Sequence, residues 1–280
     1  NSKIIEMSSK FTIPQLLILL PFLSLAIAAP SQKSTTTPAT STSASVSTVL
    51  AGKLKPTCAP GGNIDLSKWT LQLPTGSRGH PDSVTGSKLA GCSGYQSADY
   101  FFTSPTDGSI VMKVPGGVST GCVTTANSKH CRTELRESSP ASWDPKASSN
   151  KLSATLQVIT ADDSSHGTVI GQIHIDDKVS SKPVCELFYN SKGVISMGVE
   201  QTREGGNEIV KQVGSVAVGS KFSYVIAYEG GKLSVAINGG TPTVMDTYQL
   251  DSPASYFKAG NYNQGNSKSE VHFFAINAQH

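Results

Sequence analysis

Apolar and polar positions alternate in short runs over most of the chain. From about residue 56 onward, apolar residues occupy every second position or fill short continuous runs, and turn residues separate these segments. Long segments with the 3.6-residue apolar period of an amphipathic helix are hard to find. The pattern predicts a series of strands, at residues 69–73, 110–114, 152–159, 169–175 and 184–189.

A hairpin is the clearest local prediction. Two apolar segments, 222–228 and 233–237, are joined by a turn in which Gly230 and Gly231 supply the positive φ that a tight turn needs. The C-terminal run 271–276 predicts a strand that is buried on both faces. We therefore predict an all-β fold, a β-jelly-roll sandwich of two antiparallel sheets with a groove on one concave face.

Composition supports strands and turns and limits the classes of function. The chain has 280 residues, of which 37% are hydrophobic and 15% charged, and it contains 26 Gly and 15 Pro. This length suits one large all-β domain or two small ones, and one domain is the simpler interpretation. The formal net charge of +3 is too small for a general nucleic-acid-binding domain. A local basic site for an anionic ligand is compatible with it.

The N-terminal segment has the pattern of a secretory leader. Residues 1–28 are interpreted as upstream residues and a signal peptide, because Lys10 precedes the apolar run 11–27, which ends in small residues. A permanent membrane span is the alternative interpretation of this run. Pro14 and Pro21 interrupt it, which favours the leader.

The rest of the chain divides into a linker and one domain. Residues 29–55 are rich in Ser and Thr and contain too little apolar surface to order themselves, so they predict a flexible linker. Residues 56–280 are expected to form the folded domain. We expect a secreted, extracellular protein that has no membrane segment after signal cleavage and that is a monomer.

Five cysteines follow the leader, in a chain expected to reach an oxidising compartment. Two disulfides with one thiol left over is the natural count. Cys122 and Cys131 flank a short polar loop and are paired first, which leaves Cys58 with Cys92 as a pairing by elimination. Cys185 lies within a predicted strand and is expected to be a buried free thiol.

Residues 130–137 place charged side chains on one face of a predicted strand. Arg132, Glu134 and Arg136 share this face, and the residues between them point the other way. The pattern is typical of a solvated face with cross-strand ion pairs. It is equally typical of a site in which guanidinium groups bind a carboxylate while Glu134 holds the arginines in place.

An amide and an imidazole share one face of the predicted strand 169–175. Gln172 and His174 lie two residues apart, on the face to which the alternation also assigns Ile170. A lone histidine on a strand is usually a structural group. An amide two residues from an imidazole favours a functional site instead.

The segment 256–264 combines a basic group with phenols. Strand alternation places five of its residues on one face: Tyr256, Lys258, Gly260, Tyr262 and Gln264. The glycine is expected to leave room above the sheet for a ligand to approach closely. An exposed aromatic strand near a sheet edge is the alternative.

These three segments together resemble the signature blocks of polysaccharide lyase family 7, the alginate lyases. The blocks read RTELR at 132–136, QIH at 172–174 and YFKAGNYNQ at 256–264, and they occur in the family's order. The similarity extends over the domain from about residue 56. It implies a jelly-roll fold, an enzyme that cleaves by β-elimination, and alginate as the partner.

The resemblance implies a role for each of eight residues. Arg132 and Gln172 are expected to stabilise the charge that develops on a uronate carboxylate, as an oxyanion hole does. His174 is expected to be the base and Tyr262 the acid, and Tyr262 becomes a second base if Arg132 lowers its pKa. The implied substrate-binding residues are Glu134, Arg136, Lys258 and Gln264. No metal or cofactor is expected, because arginine and glutamine supply the neutralisation that calcium provides in some other lyases.

Three other functions are alternatives, and the sequence supports them unequally. A hydrolase on a similar sandwich needs two carboxylates across the scissile bond, and no acidic pair on alternating strand positions stands out. A lyase for another 1,4-linked uronate polymer, such as glucuronan, needs the same groups as an alginate lyase. A non-catalytic carbohydrate-binding domain favours exposed tryptophan platforms, and the chain has only Trp69 and Trp143.

The sequence also leads to expectations for cleavage mode and sugar preference. Endo-action is the default. Family members with isoleucine between the glutamine and the histidine, as Ile173 is here, tend towards guluronate-containing substrate. We therefore expect guluronate linkages to be cleaved at least as well as mannuronate blocks.

Overall fold

The computed structural model describes residues 53–280, and this part of the chain forms two antiparallel β-sheets that pack face to face. The strands are β1 (Trp69–Ser77), β2 (His80–Val84), β3 (Phe101–Thr103), β4 (Ile110–Val114), β5 (Arg132–Glu137), β6 (Lys151–Thr160), β7 (Thr168–Ile175), β8 (Pro183–Tyr189), β9 (Val194–Val199), β10 (Ile209–Ser215), β11 (Lys221–Glu229), β12 (Lys232–Ile237), β13 (Thr243–Met245), β14 (Ser255–Tyr262) and β15 (Ser269–Gln279). A short helix, α1 (Gly86–Leu89), and a 3-10 turn, Val118–Thr120, lie in the connections.

The two sheets differ in size and in the strands they contain. One has eight strands in the order β10-β9-β8-β7-β14-β5-β1-β2, and the other has seven in the order β13-β12-β11-β6-β15-β4-β3. Strands far apart in sequence are therefore neighbours, and β14 lies between β5 and β7. The three strands that carry the signature blocks are adjacent at the centre of the larger sheet.

The core lies between the two sheets and is built from the alternate positions of their strands. Ile173 and Phe257 of the larger sheet and Tyr224 of the smaller sheet are fully or almost fully buried there. The hydroxyl of Tyr224 donates a hydrogen bond of 2.9 Å to the carbonyl of Ile170, which ties the sheets together. A Cβ at Gly171 would lie 2.5 Å from that hydroxyl, so this close approach requires glycine.

The predicted hairpin and cysteine states are confirmed. β11 and β12 pair as a hairpin, and φ is 55° at Gly230 and 74° at Gly231. The disulfides are Cys58–Cys92 and Cys122–Cys131, as predicted, and Cys185 is a buried free thiol. The all-β sandwich of two antiparallel sheets is likewise the observed architecture.

Two predictions of strand orientation are wrong. The alternation assigns Ile170 to the face of Gln172 and His174, but this residue lies in the core, because a register shift between Val169 and Gly171 interrupts the alternation. The C-terminal strand β15 is not buried on both faces. Its core side is closed, whereas Phe274 on the other side is half-buried under the ammonium of Lys221, 3.4 Å from the ring centroid.

Some predictions concern residues that the structure does not describe. The leader, 1–28, and the linker up to residue 52 lie outside the described residues, so the domain boundaries stay predictions. Within residues 53–280, no helix is long and apolar enough to cross a membrane.

Candidate active site

A groove of about 790 Å³ crosses the outer face of the eight-stranded sheet. Its lining includes Ser83 on the edge strand β2 and, at the opposite edge, Glu200 and Glu208 at the ends of β9 and β10. The central part of the lining comes from β5, β14 and β7. Seven of the eight predicted site residues are part of it, namely Arg132, Glu134, Arg136, Gln172, His174, Lys258 and Tyr262.

Strand register brings polar side chains from distant segments together in two adjacent rows across the sheet. Glu134 on β5 pairs with Gln72 on β1, and Gln172 on β7 pairs with Lys258 on β14 and with Glu186 on β8. Since side chains of directly paired residues project to the same side of a sheet, these residues face the groove together. The two rows contain the carboxylates of Glu134 and Glu186 and the ammonium of Lys258.

Glu134 contacts three polar side chains at the centre of the groove. Its carboxylate lies 2.5 Å from the ammonium of Lys258 and 3.3 Å from the guanidinium of Arg132, and it accepts a 2.5 Å hydrogen bond from Gln172. Burial raises the pKa of Glu134, but Lys258 and Arg132 outweigh burial and lower it. An ionised Glu134 therefore fixes the orientation of three groove side chains.

Arg132 is held between Glu134 and a loop. Besides its ion pair, it donates a hydrogen bond of 3.1 Å from Nη2 to the hydroxyl of Ser128. Its guanidinium carbon lies 3.6 Å from the ring centroid of Tyr262, in cation–π contact. Arg132 is only 9% exposed, so its charge acts in a partly desolvated environment.

The geometry of His174 fixes its tautomer. Its Nδ1 lies 2.8 Å from the carbonyl oxygen of Ile175, and because a carbonyl can only accept, Nδ1 carries the hydrogen. In the neutral ring, Nε2 is then unprotonated. Burial, and next the charge of Lys258, lower the pKa of His174 to about 4. The imidazole is a neutral base at ordinary pH, and it stacks on Tyr256 with ring centroids 5.0 Å apart.

Tyr262 has the opposite protonation preference. Burial raises its pKa, and the nearby Arg132 only partly offsets that effect. The condition under which Tyr262 would also act as a base, a pKa lowered by Arg132, is therefore not met. The phenol keeps its proton at neutral pH, which suits a proton donor.

Lys258 lies at the centre of the groove rather than at its periphery. It is 6% exposed, and burial, followed by repulsion from Arg132, lowers its pKa to about 8 in spite of the ion pair with Glu134. Below that pH it adds a second positive charge beside Arg132. The group therefore loses its charge within the range in which enzymes are commonly assayed.

Arg136 is further towards solvent and has its own partners. It donates a 2.7 Å hydrogen bond to Asp177, and its guanidinium lies 4.1 Å from the ring centroid of Tyr256. The hydroxyl of Tyr256 donates to the same carboxylate at 3.0 Å. Its partial exposure is compatible with the substrate-binding role expected for it, which stays a prediction.

Gln264 does not join the other seven residues. Strand β14 ends at Tyr262, and the side-chain amide of Gln264 donates to the carbonyl of Tyr262 at 3.4 Å instead of lining the groove. The structure also gives a different explanation for glycine at position 260 from the expected one, which was room for a ligand. A Cβ there would lie 2.6 Å from the Cα of Glu134, so the glycine accommodates the neighbouring strand.

Several groove residues were missed by sequence reasoning. Glu186, Glu200 and Glu208 form an acidic end of the groove, near Lys182. Burial raises the pKa of all three carboxyls, and mutual repulsion adds to it for Glu186 and Glu208. The alternation in β8 places Glu186 on the groove face and could have revealed it. The other two come from strand ends, where no local pattern identifies them.

Comparisons with known proteins agree with this arrangement. A family model described as alginate lyase matches residues 64–280. A curated alginate lyase from Klebsiella pneumoniae is 29% identical over 290 residues, covering 79% of this chain and 91% of the relative. Among solved structures, the alginate lyase from Pseudomonas aeruginosa is 30% identical with a TM-score of 0.65, covering 77% of this chain and 99% of that one.

The alginate lyase A1-II', a member of polysaccharide lyase family 7, is similar over much the same length. It is 29% identical with a TM-score of 0.67, covering 79% of this chain and 98% of its own. A variant of A1-II' in complex with a substrate written GGMG has a TM-score of 0.68 at 28% identity, covering 80% and 97%. These folds confirm the predicted jelly-roll sandwich. On the extent of the family match, this chain belongs to the alginate lyase family of polysaccharide lyases.

Proposed function

We propose that this alginate lyase is a secreted enzyme that cleaves alginate within the polymer by metal-independent β-elimination. The four catalytic groups are Arg132, Gln172, His174 and Tyr262. Elimination removes the C5 proton beside the uronate carboxylate and breaks the C4–O4 bond to the next sugar. It needs charge stabilisation, a base and an acid.

The observation that carries the proposal is the paired protonation state of His174 and Tyr262. The imidazole is neutral, and its Nδ1 is committed to the Ile175 carbonyl at 2.8 Å, so Nε2 is free to accept the C5 proton. The phenol keeps its proton because its pKa is raised. One groove thus holds a base without a proton and an acid with one.

Charge stabilisation comes from the donors and cations around Glu134 at the centre of the groove. When the C5 proton leaves, negative charge develops on the substrate carboxylate, and preorganised donors lower the energy of that state. Arg132 and Gln172 are held ready for this by Glu134, which binds both. Lys258, 2.5 Å from the same carboxylate, adds positive charge to the site while it is protonated.

The dimensions of the groove favour endo-action. The lining reaches from β2 at one edge of the eight-stranded sheet to the end of β9 near the other. Eight strands spaced about 4.8 Å apart span roughly 34 Å, enough for several sugar rings. An endo-enzyme lowers the viscosity of an alginate solution early, before many new chain ends have formed. An exo-enzyme would release small products while the viscosity stays high.

Secretion is supported by the leader pattern together with the two disulfides. Disulfides persist in oxidising compartments, and both bridges lie in the lyase domain. N-terminal sequencing of protein recovered from the culture medium tests this part of the proposal. We expect cleavage after residue 28 and a monomer in sedimentation analysis.

Ultraviolet absorbance distinguishes the candidate functions. Elimination creates a conjugated unsaturated uronate that absorbs, whereas hydrolysis and simple binding create none. We expect absorbance to rise with alginate and to stay flat with glucuronan. A rise with glucuronan alone would assign the enzyme to that polymer. The relative crystallised with a substrate written GGMG supports alginate.

The carbohydrate-binding alternative has little support in this fold. Its usual recognition element is an exposed tryptophan platform, yet Trp69 is 3% and Trp143 7% exposed. Trp143 instead donates its indole N–H to Glu137 at 3.0 Å, within the core of the domain.

A further inference from the structure

Ser128 contacts two of the catalytic groups although it lies on none of the three signature strands. It belongs to the loop between Cys122 and Cys131, just before β5. Its hydroxyl oxygen lies 3.1 Å from Nη2 of Arg132 and 3.0 Å from the phenol oxygen of Tyr262. The direction of each hydrogen bond can be worked out by counting donors and acceptors.

The acceptor positions of the Ser128 hydroxyl are both filled. A serine hydroxyl accepts two hydrogen bonds and donates one. The backbone N–H of His130, at 3.1 Å, and the guanidinium of Arg132, at 3.1 Å, can only donate. Since these two groups use both lone pairs, Tyr262 cannot donate to Ser128.

The hydrogen of Ser128 has two acceptors within reach, the phenol oxygen of Tyr262 at 3.0 Å and the carbonyl of His130 at 3.2 Å. If it went to the carbonyl, two hydroxyl oxygens would face each other at 3.0 Å with no hydrogen between them. The shorter contact therefore takes the hydrogen, and Ser128 donates to Tyr262.

We propose that Ser128 is a positioning residue that makes Tyr262 an acid for the reaction, a role that rests on the proposed function. Because Tyr262 accepts from Ser128, its own hydrogen is free to point into the groove. As the C4–O4 bond breaks, this proton passes to O4 and the C5 proton passes to Nε2 of His174. The phenolate left behind keeps the Ser128 hydrogen bond and the contact with Arg132. Proton exchange with water then restores both groups.

The loop that carries Ser128 is anchored for this role. The disulfide from Cys122 to Cys131 closes it, the backbone N–H of Val123 donates to the Pro74 carbonyl at 2.8 Å, and Thr125 forms a parallel bridge with Gly79. A positioning group has to be held within a fraction of an ångström to be effective. These anchors hold the loop on both sides of the serine.

The test is Ser128→Ala with two readouts, turnover and the ionisation of Tyr262. A hydrogen bond to a charged oxygen is strong enough that kcat is expected to fall roughly 10- to 100-fold, with KM nearly unchanged. The pKa of Tyr262 is expected to rise, leaving about tenfold less phenolate at a given alkaline pH. Nuclear magnetic resonance of ¹³C-labelled tyrosine measures this, and Tyr262→Phe identifies the signal.

Matched variants separate positioning from general damage. Ser128→Thr keeps the hydroxyl and is expected to restore most of the turnover, whereas Ser128→Cys keeps the shape but is a weak donor and is expected to behave like Ser128→Ala. Ser119→Ala, at an exposed serine before the same loop, is expected to leave kcat unchanged. Thermal melting shows whether each variant is folded.

Two results would overturn the proposal. If kcat falls while the pKa of Tyr262 stays constant, Ser128 acts only by anchoring Arg132. If the pKa of Tyr262 rises and kcat is unaffected, the phenolate is not formed in a step that limits turnover. A failure of the proposed function is a different result, in which Tyr262→Phe retains full activity.

Discussion

The centre and one end of the groove carry opposite charge balances. At the centre, on β5, β14 and β7, two cations surround one carboxylate, with Arg132 and Lys258 both paired to Glu134. At the end formed by β8, β9 and β10, Glu186, Glu200 and Glu208 gather. Among the described residues, Glu200 and Glu208 each have a buried carboxyl oxygen without a hydrogen-bond partner.

The comparison shows that glutamates behave differently at the two places in the groove. At the centre, Glu134 is ionised and stabilises cations that can then meet a uronate carboxylate. At the acidic end, burial and repulsion raise the pKa of the carboxyls, so they hold protons more tightly there. We therefore expect a polyanion to be attracted to the centre and, once these carboxyls ionise, repelled from the end. On this account, charge selects the catalytic position along the groove.

The largest expected effect is loss of the base at the centre. His174→Ala should lower kcat on polyguluronate by about 10²- to 10⁴-fold, the usual contribution of a general base. In guluronate the C5 proton and O4 lie on opposite sides of the ring, so two separate groups are needed. In mannuronate they lie on the same side, but Tyr262 keeps its proton at neutral pH, so His174 is expected to be the base on polymannuronate as well. Assays of His174→Ala and Tyr262→Phe on both pure polymers check this, and a much smaller loss from His174→Ala on polymannuronate would show that another group serves as the base there.

Removing the central cation is expected to be nearly as severe. Arg132→Ala should lower kcat by about 10²- to 10³-fold, because the guanidinium matters most when charge develops on the substrate. The exposed Arg78→Ala is the matched control and should retain normal kinetics. A change confined to KM in Arg132→Ala would make Arg132 an ordinary binding residue and would weaken the contrast with the acidic end.

The pH dependence of activity tests the second cation. The pKa of Lys258 is lowered to about 8, so its charge is present below that pH and is lost above it. We expect kcat/KM to fall as pH rises through about 8, whereas the base His174, with a pKa of about 4, stays neutral over this range. Lys258→Arg keeps its charge and should move the fall to higher pH. An unchanged profile in that variant would assign the fall to another group.

The smallest expected effect comes from the acidic end. Glu208→Gln removes one carboxyl from the repulsive cluster and should lower KM for long alginate chains by a few fold at alkaline pH, since one charge is changed in a partly exposed site. Glu204→Gln, an exposed position on the same loop, is the control. A higher KM in Glu208→Gln would mean that this end binds the sugar directly.

The Glu208→Gln variant also tests how the free energy of unfolding depends on pH. The folded protein keeps the proton of Glu208 to higher pH than the unfolded chain, whose carboxyl ionises near 4.5. The folded state therefore binds more protons above that pH, so the wild-type free energy of unfolding should decrease as pH rises. Glu208→Gln should flatten that decrease, as measured by thermal melting from about pH 5 to 9. An equal slope in both proteins would contradict the raised pKa.

Strand alternation predicts the centre of the site well and its end poorly. β5 and β14 pair without a register shift, so a period of two is enough to assign Arg132 and Glu134 to one face of β5 and Lys258 to the same face of its neighbour. In β7 the register shift after Val169 turns Ile170 into the core. An extra residue of this kind depends on how neighbouring strands pair, which the local sequence does not contain.

Long-range contacts explain why the sequence analysis did not identify Glu200, Glu208 and Ser128. Glu200 and Glu208 meet because β9 and β10 are antiparallel neighbours, and neither residue lies within an alternating segment. Ser128 lies in an irregular loop, so its contact with Tyr262, 134 positions away in sequence, has no periodic signal. The feature of that loop that the sequence does predict is the Cys122–Cys131 disulfide.

Mass spectrometry of the products from chelator-treated protein tests the central claim most directly. Wild-type enzyme incubated with alginate in ethylenediaminetetraacetate should yield oligosaccharides one water lighter than hydrolysis products, each with an unsaturated non-reducing end, at the rate seen without chelator. Saturated products would contradict β-elimination. Loss of activity that added calcium restores would contradict a mechanism in which Arg132 and Gln172 neutralise the carboxylate.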